Sequence, residues 1–208
     1  SNTVDSLTDF AVKESDVTNE FYESYHIVAW MKRFTAIVCE IYSNRIKEPM
    51  KTIVLRPGNL YGPYDKFEWE KSKVIPAIMR RAIERHDPFE VWGDGMDLKD
   101  FLYIDDCIDG LILAMEKLEE FEPINIASGI PVTIRDVLTQ ILKSANYDDA
   151  DVQYDSSKPT MIPKRMIDIS LAKEKLGFEP KVSLQDGIHK TVQWYKEYYK
   201  NSSPEDKK

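Results

Sequence analysis

The chain has 208 residues, 42% of them apolar and 11% aromatic, which excludes a disordered polymer and allows a sizeable core. Its net charge of −8 argues against general affinity for nucleic acid, so an anionic ligand would need a local basic cluster set against that field. No apolar run approaches the roughly 20 residues of a membrane helix, and no signal-peptide pattern opens the chain; a cytoplasmic protein with neither a membrane nor a nucleic-acid partner is expected.

Ile27, Trp30, Met31, Phe34, Ile37, Val38 and Ile41 recur at helical spacing and predict an amphipathic helix over 22–46. A strand is expected at 52–56, followed by the run Arg56-Pro57-Gly58-Asn59-Leu60-Tyr61-Gly62-Pro63. That places a Gly/Pro-rich loop with Arg and Asn at the carboxyl end of a strand, where open α/β sheets bind ligands. Residues 57–71 read as loop, with Ser72 as the N-cap of a helix to Glu84 and Pro76 in its first turns. Phe89-Glu90-Val91-Trp92 predicts a strand, Gly93-Asp94-Gly95 a turn, and Phe101-Leu102-Tyr103-Ile104 a second strand before a helix over 106–118. Ile124-Asn125-Ile126-Ala127 is a strand ending in Ser128-Gly129. Thr133 and Asp136 form a capping-box pattern opening a helix over 134–145. A short strand at 152–154, a helix at 170–176 stopped by Gly177, a last helix over 183–199 and an unordered tail complete the chain. Cys39 and Cys107 lie in apolar helical patterns and read as buried thiols; no Cys/His spacing suggests a metal site. His26, His86 and His189 read as structural or surface residues.

Eight segments, in order, carry a family resemblance. They are Trp30-Met31-Lys32-Arg33-Phe34, the run from Leu55 to Pro63, Ser72-Lys73-Val74-Ile75-Pro76-Ala77, Val91-Trp92-Gly93-Asp94-Gly95, Asp100-Phe101-Leu102-Tyr103-Ile104-Asp105-Asp106, Ile124-Asn125-Ile126, Pro163-Lys164-Arg165-Met166, and Ala172-Lys173-Glu174-Lys175-Leu176-Gly177-Phe178 with the closing helix. The chain resembles the C-terminal part of an extended short-chain dehydrogenase/reductase of the NAD-dependent epimerase/dehydratase family, nearest the GDP-L-fucose synthase-like nucleotide-sugar epimerases. The resemblance implies an α/β fold: the C-terminal portion of a Rossmann-type domain plus a small α/β substrate-binding domain, with the N-terminal βαβ units absent. It implies a division into 1–63 (Rossmann remnant), 64–99 (substrate domain, first part), 100–130 (Rossmann return segment), 131–200 (substrate domain, second part) and a tail at 201–208.

The same resemblance implies site residues. Lys32 matches the lysine of a Tyr-x-x-x-Lys pair, in which spacing i, i+4 puts both side chains on one helix face. The tyrosine position is Val28, which has no ionisable group; Tyr25 lies two turns before Lys32. Lys73 stands where fucose synthase-like members carry an acidic histidine, and either holds phosphate or is a surface charge. Asn59, Val74, Trp92, Lys99 and Arg165 fall at substrate-binding positions. For Asn59 the alternative is a turn residue, for Trp92 a core aromatic, and for Arg165 a surface charge. Lys99 replaces an arginine, keeping the charge without the planar fork. Lys32, Arg56 and Pro57 fall at cofactor-binding positions, Lys32 alternatively being a solvated helix lysine. NAD or NADP is the implied cofactor, but its main site is absent from this reading: Gly93 and Gly95 are the only G-x-G pair, and Leu98 occupies the third glycine position. A GDP- or UDP-linked sugar is the implied ligand. The expected activity is an NAD(P)-dependent nucleotide-sugar epimerase or reductase; the alternative is a non-catalytic remnant or truncated fragment that keeps the sugar-nucleotide pocket. A homo-oligomer is expected, because a parallel sheet short of strands exposes apolar edges.

Overall fold

The computed structural model describes residues 10–21, 23–69, 72–158 and 162–201. The fold is α/β, and contacts divide the chain into two compact units. The first comprises the described residues of Ser1–Leu60, Lys99–Pro131 and Ile162–Lys181; the second those of Tyr61–Leu98, Val132–Met161 and Val182–Lys208. Residues 162–181 therefore group with the first unit, whereas the division read from the sequence kept 131–200 together.

In the first unit, single-turn 3-10 helices at Glu14–Asp16 and Glu23–Tyr25 precede α1, His26–Asn44. The helix expected at 22–46 thus begins later, after a tighter turn. Its end is tied to the next segment: the Thr52 hydroxyl donates to the Cys39 carbonyl at 2.9 Å, and Met50 N–H donates to the Tyr42 carbonyl at 2.9 Å. The chain then enters β1, Leu55–Pro57, which pairs in parallel with β5, Ile124–Ile126, so that Arg56 stands opposite Asn125. Ile124, Asn125 and Ile126 are all buried, as expected of a parallel strand covered on both faces. The Asn125 amide donates to the carbonyls of Val12 (3.1 Å) and Asp168 (3.2 Å), while its buried Oδ1 has no partner among the described residues.

One face of this strand pair is covered by α3, Ile104–Lys117, and α5, Ser170–Leu176. Leu102, Ala114, Ile124, Ile126, Leu176 and Phe178 form the core. Gly110 permits the close approach of α3: a Cβ there would lie 3.1 Å from Ile126 Cγ2 and 3.2 Å from Phe178 Cε2. Gly177 ends α5 as expected, at φ +64°, a conformation that glycine adopts without steric cost.

In the second unit, β3, Phe89–Trp92, pairs in parallel with β7, Val152–Asp155. The helix α4, Ile134–Ala145, packs against α2, Val74–Ile83, and α6, Leu184–Asn201. The capping box read from the sequence opens α4: Thr133 Oγ1 accepts from Asp136 N–H at 3.1 Å, and the Asp136 carboxylate accepts from Thr133 N–H at 3.0 Å. The cap of α2 is Lys73 and not Ser72, and no side chain completes it. Pro76 then falls at the third helical position, where the missing N–H is an orphan donor anyway.

Two strands lie outside the sequence expectation. β2, Asn59–Tyr61, falls in the stretch read as loop, and β6, Pro131–Thr133, in a stretch given no element. Both flank β4, Leu98–Tyr103, in a three-stranded sheet of order β2-β4-β6. Three residues are too few to show a period of two, so neither strand carries a local signal. The chain passes between the two units within each of these strands. Cys39 and Cys107 are free and only half-buried, a correction to their reading as buried thiols. The expected unordered tail at 202–208 lies outside the described residues.

Phe178 is 1% exposed at the centre of the first core. Phe178→Ala is expected to cost about 3–5 kcal/mol, read as a lower midpoint in urea unfolding of the first unit.

Candidate functional site

The sequence run at Arg56 becomes a groove between α1 and β1. Ala29 and Ala36, buried on α1, line it together with Val54 to Pro57, and its volume is about 600 Å³. Lys32, Arg33 and Arg56 all line it, a local cluster of three cations in a chain of net charge −8. Arg56 Nη1 donates to the Glu14 carbonyl at 3.4 Å. Burial and the neighbouring Arg33 hold its guanidinium below the ordinary arginine value, partly offset by Glu14. An anion entering the groove would relieve that repulsion. Val28 lines the groove one turn before Lys32, and Pro57 closes the strand end. Tyr25 stands at the N-cap of α1.

Beyond β1 the backbone turns tightly over β5. Gly58 N–H donates to the Ile126 carbonyl at 2.8 Å, and a Cβ on Gly58 would lie 3.3 Å from Ala127 Cβ. Asn59 Nδ2 donates to the Asp100 carbonyl at 3.0 Å. Asp100 itself is fully buried. Its carboxylate accepts from Ser128 N–H and Ser128 Oγ, both at 2.8 Å, and from Gly129 N–H at 2.9 Å. Burial raises the Asp100 pKa above the ordinary carboxylate value, while these donors and Arg165 pull it down. Arg165 is held near Asp100 and Tyr25; burial lowers its pKa and both neighbours raise it. Lys99 Nζ donates to the Ile162 carbonyl.

The first unit therefore brings the sequence-derived residues together in two groups: Val28, Lys32, Arg56 and Pro57 along the groove, and Asn59 and Arg165 at Asp100, with Lys99 adjoining. Lys73, Val74 and Trp92 lie in the second unit. Lys73 precedes the first residue of α2, Val74, and its ammonium is 3.8 Å from Asp65 Oδ1. Trp92, at the end of β3, is 53% exposed, with Lys158 Nζ 5.9 Å from its ring centroid. Its aromatic face is thus available and not absorbed into a core. Sequence reasoning did not single out Asp100, Ser128 or Gly129. The available signal was the Ser-Gly pair directly after an apolar strand, the same kind of loop as the one after β1.

The chain matches the NAD dependent epimerase/dehydratase family over residues 11–127. It belongs to that family. Among curated relatives it is 37% identical over 182 residues to GDP-L-fucose synthase 1 of Arabidopsis thaliana, covering 86% of this chain and 53% of the relative. It is 34% identical over 173 residues to the GDP-L-fucose synthase of Escherichia coli K12, covering 77% of this chain and 53% of the relative. Among solved structures it is similar to the UDP-glucose 4-epimerase of Thermotoga maritima with UDP-glucose, at a TM-score of 0.81 and 27% identity, over 95% of this chain and 62% of that one. It is also similar to the UDP-glucuronic acid 4-epimerase of Bacillus cereus in complex with UDP-glucuronic acid and NAD, at 0.78 and 26%, over 95% and 60%. The chain spans about half the length of the curated relatives it matches. Among the described residues no group of His, Cys, Asp and Glu could hold a metal ion, and no helix is long and apolar enough to cross a membrane.

Ser128→Ala removes one of the donors to the buried Asp100 carboxylate. The expected cost at pH 7 is about 1.5–3 kcal/mol. Because the folded-state pKa of Asp100 is raised, the native chain takes up this proton before the unfolded chain does, and its relative stability falls as pH rises through that range. Losing a donor to the anion raises the folded pKa further, so the cost of Ser128→Ala should shrink as pH falls toward the ordinary carboxylate range. Urea unfolding of both proteins at several pH values measures this.

Proposed function

We propose that the protein is an NAD(P)-dependent nucleotide-sugar epimerase or reductase of the GDP-L-fucose synthase kind, acting in the cytoplasm on a GDP- or UDP-linked sugar. In the first unit Lys32, Arg56 and Pro57 serve the cofactor and Asn59, Lys99 and Arg165 the sugar nucleotide. The observation that carries this reading is the groove between α1 and β1, which Lys32 and Arg56 both line, in a chain of this ancestry.

The residues fit part of a dinucleotide. Its ribose and phosphates need cations and donors at the carboxyl end of a parallel strand, and Lys32, Arg56 and Pro57 would hold it there. When bound, NAD(P) supplies the hydride donor or acceptor for a sugar carbon. The described residues contain no Gly-rich loop opening a helix after a strand, so the main pyrophosphate contacts would come from elsewhere. On the sugar side, Asn59, Lys99 and Arg165 supply donors and positive charge. Taken by itself, the second unit offers the exposed ring of Trp92 for a nucleotide base, and Lys73 with Val74 a cation at the start of α2 for a phosphate.

A second reading rests on Val28. An apolar side chain at the tyrosine position cannot move a proton, and the Lys73 ammonium lies 3.8 Å from Asp65 Oδ1. In this reading the chain binds the sugar nucleotide without turning it over. In the first, catalytic reading the proton would fall to Tyr25, at the head of α1, the nearest phenol in sequence.

Calorimetric titration of the chain with GDP-L-fucose and UDP-glucose tests the pocket. Saturable binding of one of them is expected, weakened roughly tenfold or more by Trp92→Ala, since base–aromatic stacking is worth about 1–3 kcal/mol. Binding of neither sinks the proposal for the chain.

We also propose that α1 mediates self-association. Ile27, Met31, Phe34 and Ile41 are exposed along it at helical spacing. Size-exclusion light scattering should show a dimer or larger species that Met31→Glu/Phe34→Glu converts to monomer.

A further inference from the structure

The charged residues that line the groove between α1 and β1 are Lys32, Arg33 and Arg56, and among its described lining residues there is no carboxylate. Three like charges so placed repel one another, and a fixed negative charge beside them lowers that cost. One carboxylate approaches from the segment that leads into Val17, another lining residue.

That carboxylate is Glu14, the first residue of the single-turn helix Glu14–Asp16. It touches both strands of the β1–β5 pair at one rung. Its carbonyl accepts from Arg56 Nη1 at 3.4 Å, and its Oε1 accepts from Asn125 N–H at 2.7 Å. Arg56 and Asn125 are register partners. Ile124 N–H donates to the Val54 carbonyl and Gly58 N–H to the Ile126 carbonyl, so these groups of β5 face β1, and the Asn125 N–H between them faces away. Asn125 N–H is thus a donor on the far side of β5, and Glu14 fills it.

The segment that carries Glu14 is fixed on both sides. Before it, Val12 N–H donates to the Met166 carbonyl and Asp168 N–H to the Val12 carbonyl, both at 3.0 Å. After it, Lys13 N–H donates to the Asp16 carboxylate at 2.9 Å and closes the turn. The charge of Glu14 is felt at Arg56, where it opposes the effects of burial and of Arg33. Filling the Asn125 N–H does not itself need a charge, because a neutral amide oxygen accepts a backbone N–H as well.

We infer that Glu14 is the resident counter-ion of the groove and a determinant of which anions it takes. Fixed beside Arg56, the carboxylate costs a ligand more the more negative charge the ligand brings. It therefore sets the groove against compact polyanions, and its removal opens the groove to them. This rests on the reading of the groove as an anion site and deepens it.

The test is calorimetric titration of inorganic pyrophosphate into the full 208-residue chain at low salt. Glu14→Gln is expected to tighten binding about three- to tenfold, a gain that shrinks as salt is raised. Glutamine keeps an oxygen for Asn125 N–H, so the thermal melt should change little. Glu14→Asp keeps the charge and should bind pyrophosphate as the unaltered chain does. Glu116→Gln makes the same change in net charge at an exposed position of α3 and should give no gain. Tighter binding is a result that damage to the strand edge would not produce. Unchanged or weaker affinity in Glu14→Gln overturns the inference, as does an equal gain in Glu116→Gln or Glu14→Asp, or a Glu14→Gln chain that does not fold. If the unaltered chain and every variant bind no pyrophosphate, the reading of the groove falls as well. If pyrophosphate binds and Glu14→Gln leaves its affinity unchanged, this inference falls alone.

Discussion

The buried carboxylate of Asp100 is the constraint on which the site depends. It lies in the strand β4 and accepts from two successive N–H groups and one hydroxyl at Ser128 and Gly129, just past β5. An ion so buried is costly unless its lone pairs are filled. Filling them fixes the turn after β5 against β4. Asn59, reaching the carbonyl of the same residue, brings the turn after β1 to the same place. Two loops at the carboxyl ends of neighbouring parallel strands are thus registered through one residue. Arg165 contributes from a third segment, its charge set against the carboxylate.

That arrangement explains how a strand pair of three residues each can present a defined site. Lys32 and Arg33 on the helix and Arg56 on the strand line the groove, a cluster of positive charge in a chain of net charge −8. The departure at Val28 lies in the same groove. In the proposed reading, a groove with three cations stands beside Val28, a side chain that cannot move a proton.

Much of this was legible from sequence where the signal is local. The Thr133–Asp136 box, the stop at Gly177 and the alternating strand at Phe89 to Trp92 all appear where the pattern puts them. Asn59 was singled out because a Gly/Pro loop after a strand is a ligand position, and its contact with Asp100 follows from that loop. What was not legible is non-local. β2 and β6 exist through pairing with β4, not through any periodicity of three residues. Asp100 heads a segment that carries the resemblance, but its partners, 28 and 29 residues away, have no local signal. The helical period of α1 is real, but a period cannot say whether its apolar face is covered, and much of it is not.

The central claim is the proposal that the groove between α1 and β1 holds part of a dinucleotide through Lys32 and Arg56. Fluorescence titration of NADPH into the 208-residue chain addresses it directly. The account predicts no saturable binding tighter than roughly millimolar, an affinity of about 4 kcal/mol or less, because Lys32, Arg56 and Pro57 hold only part of the cofactor. Saturable micromolar binding by the chain alone would contradict it.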